Sequence, residues 1–346
     1  MIDFRYHLVS IVAVFLALAI GIVVGAEALP TKVANKLNKE AQHALKVNDQ
    51  LYAEISQLKQ QVTADDAFAS AASGTLLDHL LEGERVVLVT APGADSGTVT
   101  GIIAAIGAAG GTVTGTISLT PQFFDVDATT EATLTATAGE LAPPGVSTSD
   151  SAGAQLAGQQ AAAKVIAAAV MDCCGLPTQA AATTKLILST FGDQGFLQVS
   201  SASGGAVLAG QATLAVVVIP ATTPANASSL SPENLTLVYL THDLQQAGKG
   251  AVLAGSLAGS GNGSAIDAVT SGGAGIALTT VDYADTEPGQ IVVIQALRES
   301  LNPHSTPTSY GVGPGVVPSP APTSSPTPSV TPTPSPSKKK KKTVKS

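Results

Sequence analysis

The sequence has no tryptophan, and its seven Phe and five Tyr make up only 3% of 346 residues. Such scarcity argues against an outer-membrane β-barrel, which needs aromatic girdles at both interfaces. It also argues against a stacking platform for single-stranded nucleic acid. Charged residues are scarce at 12%, about half the usual share. They are unevenly placed: residues 1–302 carry 11 Lys and Arg against all 25 Asp and Glu, a net −14. Residues 303–346 carry six Lys and no acid. An acidic body argues against nucleic acid as a partner. There are two cysteines, the adjacent Cys173 and Cys174. They make neither a disulfide framework nor a four-ligand zinc pattern.

One long apolar run is present. Leu8 to Ala26 is 19 residues without a charge. A helix of that length spans about 28 Å, close to the roughly 30 Å hydrocarbon core. The run predicts a single-pass membrane anchor over residues 1–28. Ala26-Glu27-Ala28 also fits a signal-peptide cleavage pattern, but the run is longer than the usual 7–15 residues of a signal h-region. An uncleaved anchor is therefore the expectation. Arg5 lies before the run, whereas Lys32, Lys36 and Lys39 follow it. Counted simply, those charges put the C-terminal side in the cytoplasm. A long following domain translocates largely regardless of charge, and the tail described below favours the bulk of the chain being extracytoplasmic.

Residues 29–65 become polar and helical after Pro30. A heptad register fits, with Ala41, Asn48, Ile55 and Val62 at a positions and Leu37, Ala44, Leu51 and Leu58 at d positions. These eight residues predict the seam of a coiled-coil stalk, with an amphipathic helix packed on its own domain as the alternative. Asn48 at an a position favours the coil, because a buried Asn fixes register at a cost in stability. With an anchor just before it, the stalk predicts a parallel homodimer.

From Arg85 the grammar becomes that of an α/β domain over residues 84–301. Strands are expected at Val86–Val89, Thr112–Leu119, Leu214–Ile219, Ala251–Ala254 and Gly275–Leu278. Helices are expected at Thr98–Ala108, Ala128–Leu141, Ala152–Met171, Thr178–Phe191, Pro232–Ala247 and Glu287–Leu301. Short apolar strands alternating with helices predict a parallel, Rossmann-like sheet covered on both faces. The first strand-to-helix turn, Thr90 to Asp95, lacks GxGxxG. The Gly-rich stretch Gly259 to Ser264 has no following P-loop Lys, and a plain loop is expected. Only His242, of five His, falls in this domain, beside Asp243 on an expected helix whose face reads as solvated. No catalytic constellation emerges, so the chain is expected not to be an enzyme. Met171, Cys173 and Cys174 are candidate soft ligands for copper, the alternative being a buried or oxidised vicinal pair. Adjacent helical positions diverge by about 100°, so both thiols reach one ion only if the helix frays before Pro177.

Residues 302–346 hold 11 of the 21 Pro, mixed with Ser and Thr, then Lys338 to Lys342. That composition predicts a disordered, extended tail. Ser/Thr/Pro stalks are commonly glycosylated outside cells, and the Lys run suits anionic lipid head groups or cell-wall polymers.

The opening Met1-Ile2-Asp3-Phe4-Arg5-Tyr6-His7-Leu8-Val9-Ser10, running into the apolar stretch to Gly25, resembles the start of the actinobacterial MctB family, also known as SteB. Thr280 to Thr286, with Gly289 after it, resembles that family's C-terminal motif, with Tyr283 where Asn is expected. The resemblance marks Asp282, Asp285 and Gly289 as a motif loop. It implies anchor, coiled coil and α/β domain in this order, over about residues 1–301. It also implies copper homeostasis or copper transport at the cell envelope. A second implied role is pairing with a SteA-type partner that regulates peptidoglycan hydrolases in cell separation. The apolar run contains no Cys, His, Met or acid, and Met1 and Met171 are the only methionines. The expectation is therefore a dimeric scaffold rather than a channel.

Overall fold

The computed structural model describes residues 4–27, 31–148, 156–172, 179–201, 205, 207–220, 228–257, 263–312 and 316–321. The chain divides into two units, residues 1–67 and 68–346.

The first unit is helical. Helix α1 (Phe4–Glu27) contains one stretch, Tyr6–Gly25, long and apolar enough to cross a membrane. Helix α2 runs without interruption from Thr31 to Leu77, crossing the boundary between the units. No Pro falls within it, and Gly74 is its only Gly, near its end. Leu37, Leu51, Ile55, Leu58 and Val62 are all about half exposed or more, and Ala41, Ala44 and Asn48 beside them are exposed. The expected seam is thus continuous along α2 and uncovered within one chain.

The second unit is an α/β sandwich. Its strands are β1 (Arg85–Thr90), β2 (Thr112–Leu119), β3 (Leu197–Ser200), β4 (Leu214–Val218), β5 (Gly250–Ala254), β6 (Thr279–Val281) and β7 (Ser309–Tyr310). They form one sheet in the order β3-β2-β1-β4-β5-β6-β7. Every neighbouring pair is parallel except β2 with β3. On one face, Val87, Val89, Ala215, Val217 and Leu253 pack under α4 (Ala128–Leu141), α5 (Ala157–Val170), α6 (Ala181–Asp193), α7 (Pro232–Ala247) and α8 (Ala265–Thr270). On the other, Val86, Leu88, Val216 and Val252 pack under α3 (Ser96–Ala108), α9 (Glu287–Ser300) and the end of α2. Burial of both faces is why the central strands read as unbroken apolar runs.

The expected strand at Gly275–Leu278 is displaced. Gly275 turns with φ +66°, and the ladder to β5 is made by Thr279, Thr280 and Val281 instead. The sheet is mixed, since β3 adds an antiparallel edge. The expected helices at 152–171 and 178–191 begin at Ala157 and Ala181 among the described residues. Past residue 301, β7 pairs with β6, and Tyr310 is buried with its hydroxyl donating to the Glu299 carboxylate. Residues 322–346, with the Lys run, lie outside the described residues.

The last turns of α2 belong to the α/β core, where Ala69 and Leu77 are buried. In residues 68–321 expressed alone, Leu77→Ala should cost about 2–5 kcal/mol. Its half-exposed neighbour, changed as Leu76→Ala, should cost about 0.5 kcal/mol or less. Urea unfolding of the two variants checks the contrast.

Candidate functional site

Ligands of doubly wound sheets sit beyond the carboxyl ends of the strands, where strand order reverses. Here that point lies between β1 and β4, and α3 starts there. The N-terminus of α3 is taken by its own sequence. Asp95 accepts from Thr98 N at 2.7 Å and Thr98 Oγ1 at 3.0 Å. Those two bonds hold its carboxyl below the usual range. The neighbouring helices repeat the pattern. Ser231 caps α7, Ser264 caps α8 and Thr286 caps α9, with Glu233, Asp267 and Glu287 in their first turns. Gly263 N donates to Asp267 at 3.1 Å, so the described end of the Gly-rich stretch is committed to its own helix. Among the described residues, these capped helix starts, three of them with an acid in the first turn, offer a phosphate more repulsion than attraction.

The motif loop lies on this edge, between β6 and α9. Asp282 is 5% exposed, and Val312 N donates to its Oδ1 at 3.1 Å. Asp282 N donates to Tyr310 O, also at 3.1 Å, so the residue clamps the returning strand β7 from both its side chain and backbone. The Tyr283 hydroxyl donates to Pro318 O at 2.6 Å. Burial, with the Asp282 charge beside it, pushes the phenol up to about 12. Asp285 is exposed. At Gly289 a Cβ would stand 1.8 Å from Tyr283 O, so only glycine fits. Asp282 and Asp285 lie in the loop, inward and outward respectively, while Gly289 lies in the first turn of α9 against the Tyr283 backbone.

At the opposite edge, Met171 is 3% exposed in the core, its terminal methyl against Gly248. Asp172 follows, paired with Arg85 at 2.8 Å. Gln211 Nε2 donates to the carbonyls of Ala169 and Met171, each at 3.1 Å, and Arg85 Nε donates to Gln211 O at 2.6 Å. Glu84 accepts from Lys249 at 2.7 Å and from Thr213 at 2.6 Å. Burial would raise the Glu84 carboxyl, but these bonds and the Lys249 and Arg85 charges outweigh it and hold it low. The chain entering the cysteine pair is thus pinned on one side. Cys173 and Cys174 themselves lie outside the described residues. Among the described residues, no three His, Cys, Asp or Glu side chains gather as metal ligands.

A cavity of about 510 Å³ lies between α6, β3 and residues 207–211, with Leu188, Leu197 and Leu208 against Lys185 and Gln211. His242 and Asp243 are not on a solvated face, as the helical pattern suggested. Both are partly buried, and His242 Nδ1 has no hydrogen-bond partner among the described residues. Burial lowers the imidazole and pushes the Asp243 carboxyl up to about 7, the Lys164 charge opposing the latter. Sequence alone missed this pair and the Arg85–Asp172 bridge, because their partners are distant in the chain.

A family model described as copper transport outer membrane protein, MctB, matches residues 1–320. The copper transporter MctB of Mycobacterium leprae (strain TN) is 31% identical over 318 residues, covering 91% of this chain and 98% of that protein. The copper transporter MctB of Mycobacterium tuberculosis (strain H37Rv) is 29% identical with the same coverage.

Asp243 gives a pH prediction. A carboxyl raised in the fold penalises stability where it is charged and costs nothing where it is protonated in both folded and unfolded states. Asp243→Asn should therefore be more stable than the native chain above pH 7, the gap closing as pH falls toward 4. Urea unfolding across that range reads the difference.

Proposed function

The chain belongs to the MctB family, and on that footing we propose that it is a membrane-anchored, dimeric scaffold of the cell envelope that serves copper handling rather than acting as a channel. The observation that carries the reading is α2. Directly after an apolar helix of membrane length comes a 47-residue helix whose a and d stripe is uncovered in one chain. A parallel second copy covers it. Copper enters through the relatives, which are named copper transporters. Cys173 and Cys174 are the proposed thiol contacts, since soft thiolates suit Cu(I). Met171, the third candidate, is packed into the core. The α/β unit is placed outside the cytoplasm, on the argument of the Ser/Thr/Pro tail.

A second reading, pairing with a SteA-type partner to regulate peptidoglycan hydrolases, draws on the same stripe. Its a and d residues are modest, including two Ala and Asn48. A coil built on them is one that a partner helix can displace.

The full-length chain in detergent micelles should sediment as a dimer, and its Leu51→Asp variant should sediment as a monomer with unchanged far-ultraviolet dichroism of the α/β unit. Equal sedimentation of both would remove the dimer from the reading. Cells carrying Cys173→Ser with Cys174→Ser should grow less well in copper than cells carrying the native chain. Equal growth rules out thiol ligation. A reporter fused after Ser346 should be active only outside the cytoplasm.

A further inference from the structure

The flanks of the α2 seam carry a pattern of their own. In the stalk register the central e positions are Leu45, Tyr52 and Lys59, and the central g positions are Val47, Glu54 and Gln61. All of them are exposed. Only Glu54 and Lys59 among them are charged, and their signs are opposite. Val47 and Tyr52, one heptad earlier, are both apolar, at 38% and 66% exposed. A coiled-coil seam needs apolar residues only at a and d, so this second pair lies outside it.

Glu54 and Lys59 cannot serve each other within one chain. Five residues apart on one helix, they point about 140° away from each other. The positions three and four away, from which a helix supplies ion-pair partners, hold no opposite charge for either residue. Among the described residues, neither makes an ion pair. The preceding g residue, Glu40, differs: Lys36 of its own helix lies 3.8 Å away.

In a parallel two-stranded coil, a g residue faces the e residue five positions on in the other helix, and charges there set partner choice and orientation. That geometry brings Glu54 of one copy to Lys59 of the second, and Val47 to Tyr52, each contact made twice by symmetry. Acid meets base, and apolar meets apolar. A slip of one heptad loses the match: Glu54 then faces Tyr52 in one direction and Asp66 in the other, and Asn48 no longer meets Asn48. In an antiparallel pair, e faces e and g faces g, which separates acid from base. We propose that a second copy of this chain covers both flanks, the Glu54 carboxylate of each copy against the Lys59 ammonium of the other and Val47 against Tyr52 one heptad before. Exposed ion pairs add little stability. These act on selection instead, by making other alignments and other partner helices worse. The inference rests on the parallel dimer and adds the residues by which one copy recognises the next in register.

The test co-expresses two differently tagged copies of the full-length chain. Pull-down on one tag from detergent-solubilised membranes reads how much of the other copy comes with it. Native copies should mix in statistical proportion. A Glu54→Lys chain sets Lys against Lys in its own homodimer, and a Lys59→Glu chain sets Glu against Glu. The mixed pair has opposite charges at both contacts. Glu54→Lys on one copy with Lys59→Glu on the other should therefore co-purify several-fold above the statistical share. Two Glu54→Lys copies should co-purify several-fold less than native ones, and Glu54→Lys with Lys59→Glu in both copies should restore the native level. If native copies co-purify and the charge variants pair just as they do, or if the double exchange restores nothing, the flank proposal is overturned and the stalk dimer stands. If native copies do not co-purify, the dimer fails, and the proposal with it.

Discussion

The apolar stripe of α2 is the constraint on which the functional account depends. It is a surface helix with Leu37, Leu51, Ile55, Leu58 and Val62 in line and, among the described residues, nothing of its own chain over them. Each buried CH₂ is worth about 0.8 kcal/mol, and ordering the side chains offsets part of the gain. Two Ala and one Asn in the seam keep the total small. A free peptide of this composition pairs marginally. Anchoring two copies in one membrane raises their effective concentration and shifts the balance toward pairing. In the proposed dimer, stability is thus set by the tether as much as by the seam.

The α/β unit is by contrast closed on itself. Sheet and helices bury both faces, and at the carboxyl edge the described helix starts are capped by their own side chains. Asp95, Ser231, Ser264 and Thr286 each cap the helix that follows. The motif loop holds β7 through Asp282 and admits α9 only because residue 289 has no side chain. The segment leading to the cysteines is pinned by Arg85 and Gln211.

What was legible in the sequence follows from burial. Strands β1, β4 and β5 are buried on both faces, so their apolar runs locate them to within a residue or two. Strand β6 was misplaced because Ala277 and Leu278 are as apolar as the true strand, and the ladder begins at Thr279. The four-residue edge β3 and two-residue β7 are too short for periodicity to register. The stalk seam was read from heptads, but the docking of Ala69 and Leu77 was not, since their partners lie on α3 and α9. The motif loop was visible only through family resemblance. Its physical content, a carboxylate bonded 30 residues downstream, has no local signature. His242 and Asp243 looked solvated because a helix pattern does not reveal that α5 packs over them.

The central claim is a parallel dimer through α2. Spin labels at Lys39 and Gln60, both on the outer f positions of the stalk, measure it directly in nanodiscs by pulsed dipolar spectroscopy. A parallel pair predicts the same short inter-copy distance at both sites. A signal without inter-copy coupling, or separations approaching the length of the stalk, would contradict it.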